Sequence, residues 1–328
     1  MSKQQNIIFD HAAIGSASRL KVNQATPIFS ISPITLTVPN RVVDLQIRVS
    51  GPTTGNNFPV ILLSHGLGHS NYLSSLHGYA PLVDFLASQG FVVIQPTHLD
   101  SNTLAIDPKT TEVPFWKSRV DDMSTILDNL EVIEELVPQI SNKLDKDKVA
   151  VIGHSMGGLT AGMLLGEQLR LGDGKLVDLQ DNRVKVGVLL SAPGNGKEDL
   201  TPQALKLLPF YQEPIFQCIK KPMLVMYGTS DNNSPWTKRS ADWHADPYLL
   251  SPSPKTLVTL KGVGHALGGI SGYDSIEAKL DESVEISSIV ERLISSYLFD
   301  ALYNSSLSWG ENIEKFSEMT EYGKIEMK

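Results

Sequence analysis

The chain has 328 residues, 41% hydrophobic and 20% charged, and carries a net charge of −8. With no basic stripe to offset it, that acidity argues against nucleic acid or anionic membrane as a partner. The single cysteine, Cys218, excludes an internal disulfide, and no run approaches the ~18–20 apolar residues that span a bilayer.

In chain order, residues 1–30 show no periodicity and read as an irregular lead-in, without a secretory pattern. A soluble, cytoplasmic protein is expected, with no stable membrane insertion and its oligomeric state left open. Ile34–Val38 and Val42–Val49 alternate apolar and polar residues around Pro39-Asn40, which predicts an antiparallel hairpin at a sheet edge. Pro59–Leu63 is wholly apolar, as in a strand buried on both faces. A helix from about Tyr72 to Gln89 and a strand over Phe91–Gln95 complete a parallel βαβ unit. After a long polar loop to Pro114, Arg119–Val137 has helical spacing until Pro138 stops it, and a charged turn spans 143–148.

Val149–Ile152 then reads as a buried strand, with a helix over Leu159–Leu169. Further strands are predicted at Val184–Leu190, Pro222–Tyr227 and Lys255–Leu260, and one or two short helices over 195–221. Ser283–Leu302 is a long amphipathic helix, and beyond Asn304 a polar tail packs as a helix or frays. The expected fold is α/β: a mostly parallel central sheet covered by helices on both faces. The expected division is 1–30 lead-in, 31–304 main domain with cap elements near 100–118 and 195–220, and 305–328 tail.

Chemistry concentrates where the strands end. Ser155 lies in Gly153-His-Ser-Met-Gly157 between a buried strand and a helix, the form of a nucleophile elbow. A serine hydroxyl needs a base oriented by a carboxylate. His265, in the Gly-Val-Gly-His turn after a strand, is the candidate base. Asp231, shortly after the strand closed by Tyr227, is the candidate acid, ahead of its rivals Asp199, Asp242 and Asp246 and ahead of a helix start at Ser234-Pro235. Backbone N–H groups of Met156 and Leu67 are candidate oxyanion donors, with Gly66 letting the loop approach substrate. His154 beside the serine and Trp236 in the cleft are candidate substrate contacts; Trp116 and Trp243 suit either a cleft or packing. His65, His69, His98 and Asp100 lack the paired spacing of a metal site, His11, His77 and His244 carry no signal, and neither metal nor organic cofactor is expected.

Three stretches carry a resemblance: Leu63-Ser-His-Gly-Leu-Gly68, Leu86-Ala-Ser-Gln-Gly-Phe-Val-Val93 and Asp147–Gly158. With the order Ser155, Asp231, His265, the chain resembles the α/β-hydrolases over roughly residues 34–300. Within them it resembles the branch of platelet-activating-factor acetylhydrolases, chlorophyllases and cutinase-like polyesterases. It departs from the animal acetylhydrolases, which place the acid after the preceding strand, where Ser191-Ala192 stands here. It departs from the secreted polyesterases in having His154 and Gly194 at positions often aromatic there. The resemblance implies a serine carboxylic-ester hydrolase forming an acyl-enzyme on Ser155, acting on a small-molecule ester of short-chain, lipid-like or aromatic type. The alternatives are amide, lactone or thioester cleavage by the same triad, or a catalytically silent binding protein.

Overall fold

The computed structural model describes residues 12–67, 72–112, 114–232, 235–272, 282–304 and 307–328. Gly68, His69 and the expected helix start at Ser234 therefore lie outside the described residues. Strands β1 (Ile28–Leu36), β2 (Leu45–Pro52) and β3 (Phe58–Ser64) precede helix α1 (Ala80–Ser88) and β4 (Val92–Pro96). Helices α2 (Phe115–Asp128) and α3 (Leu130–Leu136) lead to β5 (Leu144–His154) and α4 (Met156–Leu165). Then come β6 (Gln168–Arg170), β7 (Leu176–Val177), β8 (Val184–Leu190), α5 (Pro202–Leu207) and β9 (Glu213–Ile215). The chain continues through β10 (Met223–Gly228), α6 (Asp246–Leu250), β11 (Lys255–Leu260), α7 (Val284–Tyr303), α8 (Leu307–Glu318) and β12 (Gly323–Met327).

Among the described residues nine strands form one sheet in the order β1-β2-β4-β3-β5-β8-β10-β11-β12. Its middle is parallel from β4 to β11, and antiparallel pairs close both edges. Alternate residues of the central strands point to opposite faces. Val60, Leu62, Val149 and Val151 pack with α2, α3 and α4, while Ile61, Leu63, Ala150 and Ile152 pack with α1, α7 and α8. That two-faced burial is why these strands read as unbroken apolar runs.

The structure redraws several expected bounds. The first hairpin is longer and its second strand begins at Leu45, not Val42. Helix α1 starts only at Ala80, after turns over 72–79, because Tyr79 adopts φ 63 and Pro81 opens the helix. The single helix expected over Arg119–Val137 breaks at Asn129, whose φ and ψ of −111° and 18° leave the helical region. Residues 144–148 of the charged segment belong to β5, and 168–170, 176–177 and 213–215 form a small second sheet, β7-β6-β9. In the lead-in, Ala12–Arg19 forms 3-10 turns, and β1 starts at Ile28. From Leu307 the chain is helix α8 followed by β12, which pairs antiparallel with β11.

Candidate active site

Strands β3, β5, β10 and β11 run parallel, so their carboxyl ends share one edge of the sheet, where open α/β folds place their ligands. Strand β5 ends at His154 and α4 begins at Met156, leaving Ser155 at the junction with φ 55 and ψ −122. A non-glycine residue held there stores about 1–3 kcal/mol of strain. The surrounding contacts fix the turn: a Cβ at Gly153 would run into the Gly157 carbonyl, and one at Gly157 into that of Ser64. Helix α4 directs its first unpaired N–H groups toward the serine.

Asp231 and His265 follow β10 and β11, and their loops are joined by backbone hydrogen bonds. Thr229 N–H donates to the Leu260 carbonyl at 2.8 Å and Ser230 N–H to that of Val263 at 3.0 Å. Glycine at 228 permits this, since a Cβ there would meet the Val263 carbonyl. His265 Nδ1 stands 3.0 Å from both Asp231 oxygens. Burial pushes the Asp231 carboxyl up, but its contacts with His244 and His265 outweigh this and hold it well below the usual carboxylate range. An ionised Asp231 places the ring proton on Nδ1 and leaves Nε2 as an acceptor. Ser155 and His265 line the same chamber of about 140 Å³. The rival carboxylates Asp199, Asp242 and Asp246 all converge instead on Arg239, at 3.0, 2.6 and 2.8 Å.

The loop after β3 is held from three sides. Gly66 N–H donates to Tyr79 Oη at 3.0 Å, Tyr79 donates to His154 Nδ1 at 2.7 Å, and His154 Nε2 donates to the His265 carbonyl at 2.8 Å. Arg119 Nη1 donates to the His65 carbonyl at 2.7 Å and its Nε to Asp100 at 2.7 Å. A Cβ on Gly66 would stand 3.2 Å from the Ser155 Cβ, so the loop passes close over the serine. With the Gly66 N–H engaged by Tyr79, the next donor along this loop is that of Leu67, a residue that lines the chamber together with Met156. His154 does not reach the chamber as expected. It is buried, bonded at both ring nitrogens, and pushed down to about 3 by burial and then by the neighbouring His265.

Trp236 lines the small chamber with Leu159, Leu200, Tyr211 and Trp243. Sharing Leu67, Met156 and Leu208 with it, a second, larger cavity of about 740 Å³ opens between the 100–116 loop and residues 207–210. Trp116 stacks on Phe210 there at 4.8 Å. No lysine or arginine lines either space among the described residues, whereas Asp100, Glu112 and Asp173 line the larger one.

Two histidine groupings need separating from this site. Ser64, His98 and Asp122 form a second serine–histidine–aspartate chain at 2.9 Å per link, yet the serine and the ring are wholly buried and line neither cavity. His65 and His98 use both ring nitrogens in hydrogen bonds, and burial followed by the Arg119 charge keeps both well below the usual imidazole range. His244, to which the sequence assigned no role, lies against Asp231 with Nε2 3.3 Å from Oδ2. Nothing in its Ala-Asp-Trp-His setting signals this, because the contact joins the 3-10 turn Ala241–Ala245 to the loop after β10.

The chlorophyllase family model matches residues 24–177 of the chain. Platelet-activating factor acetylhydrolase of Canis lupus familiaris is 29% identical over 163 residues, covering 38% of this chain and 36% of that protein. Cutinase est2 of Thermobifida alba is 26% identical over 217 residues, covering 65% and 55%. A hydrolase of Pseudomonas putida that acts on 2-hydroxy-6-oxononadienedioate is 27% identical over 194 residues. The sheet and these likenesses agree. Together they point to the α/β-hydrolase superfamily. The chain spans about a third of the length of the acetylhydrolases it matches and just over half that of the cutinase.

Proposed function

We propose that this α/β-hydrolase is a serine carboxylic-ester hydrolase with Ser155 as nucleophile, His265 as base and Asp231 as the acid that orients it. The observation that carries the reading is the strained Ser155 sharing one chamber with a histidine whose Nδ1 meets a buried carboxylate at 3.0 Å. In this mechanism His265 Nε2 takes the hydroxyl proton as Ser155 Oγ bonds to the ester carbonyl carbon. The oxyanion sits between the N–H groups of Leu67 and Met156, each worth roughly 10²–10³ in kcat by analogy with other oxyanion donors. Collapse expels the alcohol, which takes the proton back from His265. A water activated at the same nitrogen then releases the acid and restores the serine.

The two spaces favour an ester with one small arm and one bulky apolar arm, the small one in the 140 Å³ chamber and the other along the 740 Å³ cavity. The acidic, lysine- and arginine-free lining favours neutral over anionic substrates. Initial rates on p-nitrophenyl esters from acetate to palmitate, wild type beside Ser155→Ala, test both statements. Turnover should fall at least about 10⁴-fold in the variant. Wild-type rates should exceed those on an ester of matched size carrying a free carboxylate. Undiminished turnover by Ser155→Ala overturns the nucleophile.

A further inference from the structure

We propose that Asp231, His244 and His265 form an inhibitory binding site for a divalent transition-metal cation, with zinc the best match. Their donor atoms lie within 4.8 Å of one another, and both histidines line the chamber that holds Ser155. The decisive atom is His244 Nε2. The other ring nitrogen, Nδ1, donates to the Ala192 carbonyl at 2.7 Å, so in the neutral ring Nε2 carries a bare lone pair. That lone pair is buried, makes no hydrogen bond of good geometry, and faces Asp231 Oδ2 at 3.3 Å. Lone pair and carboxylate are reconciled by a positive charge between them, a proton on His244 or a metal ion bonded to both.

The chemistry of the set matches zinc, which takes imidazole nitrogen and carboxylate oxygen at about 2.0–2.2 Å in tetrahedral sites, often with water in the fourth position. Tetrahedral bonds of that length put neighbouring donors about 3.3–3.6 Å apart, near the 3.0 and 3.3 Å that separate Asp231 from the two rings. His265, the more open of the two histidines, is the ring that can turn to close the third side. The hydrogen bond from His244 to Ala192 is the outer contact that metal-bound imidazoles commonly make, fixing tautomer and ring plane.

Inhibition follows from the proton balance and rests on the triad reading above; the binding itself does not. Zinc bonded to His265 Nδ1 takes the place of the hydrogen there, and the neutral ring then carries its proton on Nε2. The ring loses no proton and the metal changes no oxidation state. Nε2–H has no lone pair for the Ser155 proton, so the hydroxyl stays unactivated.

Zinc chloride titrated into the Ser155→Ala protein by calorimetry tests binding apart from turnover. One ion per chain is expected, with affinity at least tenfold weaker in Ser155→Ala carrying either His244→Gln or His265→Gln. The second pair keeps the test open should His244→Gln not fold. In the wild type, zinc should lower ester turnover and a chelator should restore it, while chelator alone leaves the metal-free enzyme fully active. Absence of binding, or zinc affinity unchanged by both histidine substitutions, overturns the site. Zinc bound with this dependence but without inhibition would keep the site and count against the role given to His265.

Discussion

The hydroxyl of Tyr79 joins the loops that hold the proposed nucleophile and base. It accepts from Gly66 N–H and donates to His154, which in turn holds the carbonyl of His265. Tyr79→Phe leaves a buried N–H and a buried ring nitrogen unpaired, at roughly 1–3 kcal/mol each. On the proposed mechanism Tyr79 is a positioning residue, so the variant should lose kcat by about tenfold or more with KM nearly unchanged. A rise in KM at constant kcat would show that the contact serves substrate binding instead. This chain also explains what the sequence could and could not show about individual residues. Ser155, Asp231 and His265 stand after buried strands, and strand ends are readable. Tyr79, Arg119 and His244 reach the site through folded contacts 13 to 75 residues apart in sequence, which no local pattern encodes.

At the scale of elements, helix α4 is the one most tightly enclosed: every residue from Met156 to Leu165 is buried. Just past its end, Glu167 is buried beneath it against Gly162, and Glu167 Oε1 has no hydrogen-bond partner among the described residues. Burial pushes its carboxyl well above the usual range, more than the nearby Tyr211 hydroxyl offsets. A group whose folded value is raised favours the fold at low pH and loses that contribution as pH rises toward the folded value. Glu167→Gln should therefore gain stability over the wild type as pH rises from 5 to 8, by up to about 1.4 kcal/mol per pH unit. Equal melting-temperature differences at the two pH values would mean that Glu167 is already ionised in the fold. Among the elements, β3, β4, β8, β10 and β11 were legible because they are buried on both faces. Strand β12, Gly323-Lys-Ile-Glu-Met327, was not: it is a polar edge strand, and only its pairing with β11 makes it one. The break between α2 and α3 was hidden because the apolar spacing runs on across Asn129.

Across the whole molecule the sheet divides the proposed machinery by chain position. The chlorophyllase likeness stops at Val177, and up to that point lie the Gly66-Leu67 loop and Ser155. Everything assigned to acid and base, Asp231 and His265 with His244 beside them, comes later. The two parts are tied by β5–β8 pairing and, at the opposite flank, by Asn312, which bonds both the N–H and the carbonyl of Lys21 at 2.7 and 2.8 Å. Ion pairs at 2.6 Å from Arg19 to Glu318 and from Lys21 to Glu311 reinforce that flank. Between the parts lies the exposed β6–β7 turn, where Gly174 has φ 83 and open space around it. The protein is thus laid out as a split enzyme. Expressed as two fragments cut after Gly174, each should be silent alone, and mixing them should restore ester turnover at a rate that depends on both concentrations. Fragments that associate without turnover would show that the unbroken turn does more than connect.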